Sequence, residues 1–259
     1  MKITLLGTAT SQGIPVIGCT CNVCTSADPR DYRLRTSAHI STQKTNIVID
    51  VGPDFRAQML SAQIKRLDAI LVTHEHNDHV IGLDDVRPYC FMQDDPLELY
   101  TIPRVKKEIE ERFAYAFQAS PYPGAPKLNI KEIDFFNPFY INDVVVTPFP
   151  IIHGRLEIAG YKVNNTVYIT DASEIPEESL KLINGADLLV INALHKKPHH
   201  SHYSLGEALE AIGEIKPEKA ILTHVSHLMG RHAEVELELP SGVLLGYDGI
   251  ESIVSDSMK

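Results

Sequence analysis

Two packed β-sheets flanked by helices, an α/β fold, are predicted by three observations. Short β-rich runs recur along the 259 residues, each followed by a turn or a helix. The helical stretches fall between groups of strands, the pattern of layered α/β architectures. No Pro/Gly/Ser-rich linker divides the chain, so residues 1–259 read as a single domain near the upper size for one core.

In chain order, Ile3–Leu6 and Asn46–Asp50 read as strands and Phe55–Gln63 as a helix. Asp68–Val72 is a nearly continuous apolar run, as in a strand buried on both faces, and Leu97–Thr101 is another strand. Pro103 suits the first turn of a helix reaching about Phe117. Ser120–Pro126 holds three prolines and a glycine and reads as a loop. Strands follow at Val144–Phe149, Leu156–Val163 and Val167–Thr170, then a helix over Glu177–Ile183 and a strand over Leu188–Asn192. Leu205–Ile215 is a helix, with Ser204 as N-cap and Glu207 at the spacing of a capping box. Ala220–Thr223 and Val243–Leu245 complete the strands.

Composition excludes several classes. At 44% hydrophobic and 22% charged residues the chain is neither disordered nor collagenous. No apolar run approaches the ~18 residues of a membrane helix. The first ten residues lack a long apolar region and a cleavage site, so no signal peptide is read and a cytoplasmic setting is expected. The formal charge of −10 argues against nucleic acid as a partner, since phosphate attraction needs excess Lys and Arg. Three of the four cysteines, Cys19, Cys21 and Cys24, fall within six residues, which points to metal more than to disulfides; Cys90 reads as a buried structural thiol.

The strongest chemical signal is Thr73-His74-Glu75-His76-Asn77-Asp78-His79, directly after a buried strand. His74 and His76 share one side of an extended stretch, while Asp78 and His79 begin a new turn and can face a second position. That is ligand geometry for two adjacent metals. His153, Asp171 and His224 share the same context, each just after a strand. In Gly18-Cys19-Thr20-Cys21-Asn22-Val23-Cys24 the thiolate spacing suits a closed tetrahedral zinc site, with His227 chosen as fourth ligand and a redox role for the cysteines as the rival reading. Such a zinc would tie the N-terminal loop, residues 15–30, to the segment carrying His224. Sulfur ligands favour zinc, whereas the His/Asp site also accepts manganese.

On these motifs the chain resembles the metallo-β-lactamase superfamily, over about residues 3–252. The resemblance implies the αββα sandwich, with the site where strand ends meet. It implies His74, His76 and His153 on one divalent metal, Asp78, His79 and His224 on the other, and Asp171 bridging. It also implies that Asp50 orients the ligands. The GCxCxxC loop, the intact dinuclear set and Leu222-Thr-His-Val-Ser-His227 resemble the phosphodiesterases that open phosphoribosyl cyclic phosphate in phosphonate breakdown. Leu239-Pro-Ser-Gly and Gly246-Tyr-Asp-Gly are also as in that group. The quinone-cofactor biosynthesis B family has a similar cysteine loop but a different metal core. β-Lactamases of the commonest class have a Cys in the second metal position, and none corresponds here. Segment 84–128 is longer than that phosphodiesterase group leads one to expect and reads as an insertion over the pocket.

The resemblance implies hydrolysis of a small phosphodiester, with Asp78 essential and His202 as general acid to the leaving oxygen; it also implies a homodimer. His199 and His200 read as solvent-facing, His195 as an alternative pocket residue and His39 as structural. Three rival readings stand beside this one. A tRNA 3′-end-type endonuclease should carry a basic arm, which the sequence lacks. A metal-stabilised binding protein without turnover has no chemical need for seven ligands. A thioester or lactone hydrolase would share the scaffold.

Overall fold

Period-two patterning sorts the strands into two sheets. In the computed structural model, which describes residues Met1–Val254, the first half of the chain builds one sheet and the second half the other. The first contains β1 (Lys2–Gly7), β2 (Ser37–Ser41), β3 (Asn46–Ile49), β4 (Ala69–Leu71), β5 (Leu97–Thr101) and β6 (Leu128–Glu132). The second contains β7 (Phe139–Ile141), β8 (Val144–His153), β9 (Leu156–Val163), β10 (Thr166–Tyr168), β11 (Leu188–Asn192), β12 (Lys219–Thr223) and β13 (Val243–Leu245). The last strand, β14 (Glu251–Ile253), returns to pair with β1.

Each sheet is antiparallel on one side and parallel on the other. β14-β1-β2-β3 and β7-β8-β9-β10 pair antiparallel, while β3-β4-β5-β6 and β10-β11-β12-β13 pair parallel. Parallel neighbours need crossovers, and the helices supply most of them. These are α1 (Phe55–Ser61), α2 (Asn77–Val80), α3 (Arg87–Gln93), α4 (Pro103–Arg112), α5 (Glu177–Ile183), α6 (Leu205–Ile215) and α7 (His232–Glu236). β11 shows how two cores arise: Leu188 and Val190 face the first sheet with Tyr161 and Ile221, while Leu189 and Ile191 meet Ile183 and Leu205 of the helical layer. The two-sheet α/β architecture is the predicted one. Ser204 and Glu207 form the expected capping box on α6.

The differences are local. β2, β6 and β14 escape sequence reading because they are short and carry polar residues, and β7 because it is three residues long. β8 runs on to His153, past Phe149, because Pro148 and Pro150 act through their carbonyls: Pro148 O accepts from Phe136 N at 2.8 Å and Pro150 O from Ser179 Oγ at 2.7 Å. α4 ends at Arg112 and a separate 3₁₀ turn, Ala114–Ala116, covers the rest of the predicted helix. Segment 84–128 contributes β5, a central strand of the first sheet, and the start of β6.

The sheets are joined beside the ligand motif. Ala159 N of β9 donates to Thr73 O at 3.0 Å, and Tyr161 Oη donates to Val72 O at 2.7 Å. On the other side the chain after β3 packs under α2. A Cβ on Gly52 would lie 2.1 Å from Asp78 O, and one on Gly82 2.1 Å from Gly52 O. Only glycine permits these backbones to touch. Gly52→Ala is therefore expected to push the 78–79 turn away, costing about 1–3 kcal/mol of stability as overpacking does and lowering metal content. Urea unfolding and metal analysis check both, and wild-type values would contradict the close approach.

Candidate functional site

The ligand-type residues converge where the strands end. His74 follows β4 by three residues, Asp171 follows β10 by three, His153 closes β8 and His224 follows β12 directly. The ligand atoms of His74, His76 and His153 lie within 4.8 Å of one another, as do those of Asp78, His79 and His224, and those of His74, His79 and Asp171. These are the two groups and the shared carboxylate that the sequence predicts.

A buried carboxylate orients one ring of each group. Asp50 Oδ1 accepts from Thr73 N and Oδ2 from Thr73 Oγ1, both at 2.8 Å. Thr73 Oγ1 lies 3.0 Å from His74 Nδ1, and with its own proton given to Asp50 it accepts the His74 Nδ1–H. Asp50 Oδ2 also lies 2.6 Å from His79 Nδ1 and receives that N–H. Both Nε2 atoms are left as lone pairs facing inward. His74 Nε2 and His76 Nδ1 converge at 2.9 Å. His153 donates from Nδ1 to Ser201 O at 2.8 Å, which also leaves its Nε2 free.

Asp171 sits among these rings. Its Oδ1 is 3.1 Å from His224 Nε2 and 3.0 Å from His202 Nε2; its Oδ2 is 3.3 Å from His79 Nε2. Thr170 Oγ1 holds Oδ2 at 2.6 Å, and Asn192, at the end of β11, clamps the next residue by bonding both Ala172 N and Ala172 O. Asp50, Asp171 and His224 have φ of 62°, 59° and 53°, left-handed values that cost a non-glycine residue about 1–3 kcal/mol each and that recur at functional sites.

Two observations test whether this set fits a metal. His79 Nε2 and both nitrogens of His224 are buried without a hydrogen-bond partner among the described residues, a costly state unless a ligand is present. The electrostatics also call for a cation. Burial opposes protonation of His79, yet Asp171, Asp50 and Asp78 hold it well above the ordinary imidazole range. Burial works to raise Asp171, but His224 and His79 bring it well below the usual carboxylate range. Burial pushes His224 down to about 4, so it stays neutral as a ligand must. Donors of this type suit a divalent metal site.

The cysteine loop closes on its predicted partner. His227 Nδ1 lies 3.4 Å from Cys19 Sγ, 3.4 Å from Cys21 Sγ and 3.5 Å from Cys24 Sγ. Tetrahedral zinc, with Zn–S of about 2.3 Å and Zn–N of about 2.0–2.1 Å, would separate sulfur and nitrogen by about 3.5–3.6 Å. The backbone N–H of Cys24 holds the Cys21 thiol down to about 6, favouring thiolate, while burial raises Cys24 to about 11. The loop reaches His227 because the chain after β1 pairs with the chain after β12: Val225 N donates to Thr8 O and Thr10 N to Val225 O.

The remaining histidines sort differently. His202 faces Asp171, with its Nδ1 3.0 Å from Ser201 Oγ. His199, read as solvent-facing, is half-buried, with its Nδ1 3.3 Å from His202 Nδ1; His200 is exposed as expected. His39 lies on β2, bonded to Asn46, away from the cluster. Thr73, Asn192 and Ser201 carried no signal in the sequence. Neither did Arg104 and Arg112 of segment 84–128, which hold the ligand loop: Arg104 pairs with Glu75, and Arg112 donates to Glu75 O and Asn77 Oδ1.

Two outcomes are expected. Cys21→Ser should release one zinc equivalent and lower the thermal midpoint by several degrees, as measured by metal analysis and calorimetry. Asp50→Asn should weaken metal binding about 10–100-fold, the usual effect of losing a ligand's hydrogen-bond partner, as read by competition with a chelator.

Comparison with known proteins agrees with this geometry. A family model described as the beta-lactamase superfamily domain matches residues 45–225. A crystal structure described as a new diphosphatase from the PhnP family superposes with TM-score 0.90 at 36% identity, over 97% of this chain and 96% of that one. An octanoyltransferase of Porphyromonas gingivalis is 42% identical over 258 residues, 99% of this chain but 52% of that protein. A ribonuclease Z of Methanococcus maripaludis is 26% identical over 160 residues, 59% of this chain and 46% of that protein. The chain thus spans about half the length of these curated relatives. Motif, fold and family match coincide, and the chain belongs to the metallo-β-lactamase superfamily of metal-dependent hydrolases.

Proposed function

We propose that the protein is a dinuclear metal-dependent phosphodiesterase acting on a small cyclic phosphodiester of the phosphoribosyl 1,2-cyclic phosphate type. The observation that carries this reading is the placing of His202 Nε2 3.0 Å from Asp171 Oδ1, the carboxylate shared by both ligand groups. A proton donor is thereby held at the edge of a compact cation site, the arrangement that expulsion of an alkoxide requires. The 36% identity to the PhnP-family diphosphatase along nearly all of both chains supports hydrolysis at phosphorus, the activity named there being on a diphosphate. No helix among the described residues is long and apolar enough to cross a membrane. A cytoplasmic setting, reducing enough to keep Cys19, Cys21 and Cys24 free of disulfides, fits the reading.

On this proposal His74, His76 and His153 hold one metal, Asp78, His79 and His224 the other, and Asp171 lies between; Cys19, Cys21, Cys24 and His227 hold a structural zinc. Zinc and manganese both suit the His/Asp set. When bound, the metal pair supplies Lewis-acid polarisation of a phosphoryl oxygen and a water nucleophile at neutral pH. The chain's own groups do the rest. Asp50 and Thr73 keep the His74 and His79 rings in the ligating tautomer. Ser201 O does so for His153, and Ser201 Oγ steadies His202. His202 carries the proton at Nε2 toward the departing oxygen.

A ribonuclease Z reading has weaker support. The relatives of that name match about half of their length, and the chain's −10 charge opposes a polyanion. Octanoyl transfer is the activity named for a protein of which this chain matches 52%, and the His/Asp cluster contains no cysteine nucleophile.

Phosphorus NMR of the manganese-loaded protein with 5-phosphoribosyl 1,2-cyclic phosphate, beside bis(p-nitrophenyl) phosphate, tests the proposal. Regiospecific opening of the cyclic ester is expected. Cleavage of the generic diester alone would discard that substrate, and turnover of neither by metal-loaded protein would overturn phosphodiester chemistry. His202→Ala should lower kcat about 10²–10⁴-fold with metal content retained, and Asp78→Ala should lower it further with loss of metal.

A further inference from the structure

Beside His202 the chain presents hydrogen-bond donors that nothing in the metal cluster uses. Residues 194–202 read Leu-His-Lys-Lys-Pro-His-His-Ser-His, with four imidazoles, two lysines and no acid, in a chain of net charge −10. The rings are in mutual contact: His199 lies 4.3 Å from His200, 5.2 Å from His202 and 5.9 Å from His195, centroid to centroid.

Two of these rings accept at Nδ1. Lys197 N donates to His195 Nδ1 at 3.2 Å, and Ser201 N donates to His199 Nδ1 at 3.4 Å. A neutral imidazole with Nδ1 accepting carries its proton on Nε2. Burial and the neighbouring rings of His202, His200 and His195 keep His199 below the ordinary imidazole range, so it is neutral near pH 7. Each Nε2–H is a donor without a partner among the described residues.

Two cations, one in this segment and one in the turn packed on it, have no ion pair among the described residues. Gly154, just after His153, has φ 61°, and a Cβ there would lie 3.2 Å from Ser201 Cβ, so the turn carrying Arg155 packs on the 200–201 segment. Arg155 is exposed and has no hydrogen bond or ion pair among the described residues, and Lys197 has no ion pair. Their neighbours are occupied: Lys196 pairs with Glu238 at 2.6 Å, Arg104 with Glu75, and Arg112 with the ligand loop.

We infer that Arg155, Lys197, His195 and His199 form a second anion subsite, which takes a phosphate monoester carried on the substrate away from the bond that breaks. The inference deepens the proposed function and rests on it for the reaction. Two imidazole N–H donors with a guanidinium and an ammonium match the three oxygens and double charge of a phosphate monoester better than a single carboxylate. The subsite would separate substrates bearing a terminal phosphate from plain diesters. It would also weaken with added salt, because its cations are exposed.

The test uses the metal-loaded protein. Calorimetry measures binding of ribose 5-phosphate and of ribose to wild type, Arg155→Ala and Arg155→Lys. Kinetics compare a cyclic diester bearing a terminal phosphate with bis(p-nitrophenyl) phosphate. Losing a charge-assisted contact should weaken ribose 5-phosphate binding in Arg155→Ala about tenfold to hundredfold. The ratio of kcat/KM for the two diesters should fall by a similar factor. Arg155→Lys, which keeps the charge and loses the fork, should lie between. Unchanged ribose 5-phosphate affinity in Arg155→Ala, or equal binding of ribose and ribose 5-phosphate by wild type, would overturn the subsite. Wild type that binds ribose 5-phosphate through Arg155 yet cleaves neither diester would support the subsite and remove the proposed reaction.

Discussion

The site depends on one buried carboxylate. Asp50 has no solvent contact, lies beneath both ligand groups and has a backbone conformation a non-glycine residue rarely adopts. Burial holds its carboxyl above the usual range, against the pull of His79 and two bonds from Thr73. That opposition makes its geometry stringent, since a buried carboxylate is tolerated only when its lone pairs are met. Meeting them fixes the tautomers of His74 and His79 and so the direction of their free nitrogens. The left-handed turn at Asp50 also leads into Val51 and Gly52, whose backbones carry the 78–82 segment.

A second constraint comes from the joining of the halves. Each sheet supplies ligands only from its own strand ends: His74, His76, Asp78 and His79 from the first, His153, Asp171 and His224 from the second. The two sets meet in one cluster, so the packing of Tyr161 and Ala159 against Val72 and Thr73 fixes the spacing between the two ligand groups. The cysteine loop works at the opposite edge. It links the chain after β1 to His227, three residues beyond His224, through three sulfur donors and one imidazole nitrogen at zinc-like separations. Arg104 and Arg112 of α4 brace the ligand loop from a third side. A preorganised cluster of this kind keeps its geometry without reorganising during the reaction, which is the main source of electrostatic catalysis.

Ser201 connects the His/Asp cluster to His202. Its carbonyl orients His153 and its hydroxyl meets His202, so one residue links a ring of the cluster with the ring proposed to carry the proton. The same loop carries His195 and His199, whose Nδ1 atoms accept from Lys197 N and Ser201 N. The proposed acid and the proposed anion subsite would then share one short segment between β11 and α6.

The sequence by itself indicated the α/β class and most strands and helices, and it singled out the histidines, aspartates and cysteines that the structure brings together in the two clusters. Such information is local: apolar alternation marks strands, and dense His, Asp and Cys in a folded chain have few other uses. Short polar strands such as β2 and β14 were illegible because their pairing is set by distant partners rather than their own pattern. Only the tertiary structure decided which nitrogen of each histidine is free, because that depends on neighbours from elsewhere in the chain: Asp50 for His79, Ser201 for His153. It likewise decided that His199 packs on His202, and that the turn at Gly154 packs on Ser201. Hydrogen-bond direction and charge pairing are properties of contacts, and contacts exist only once the two halves have packed.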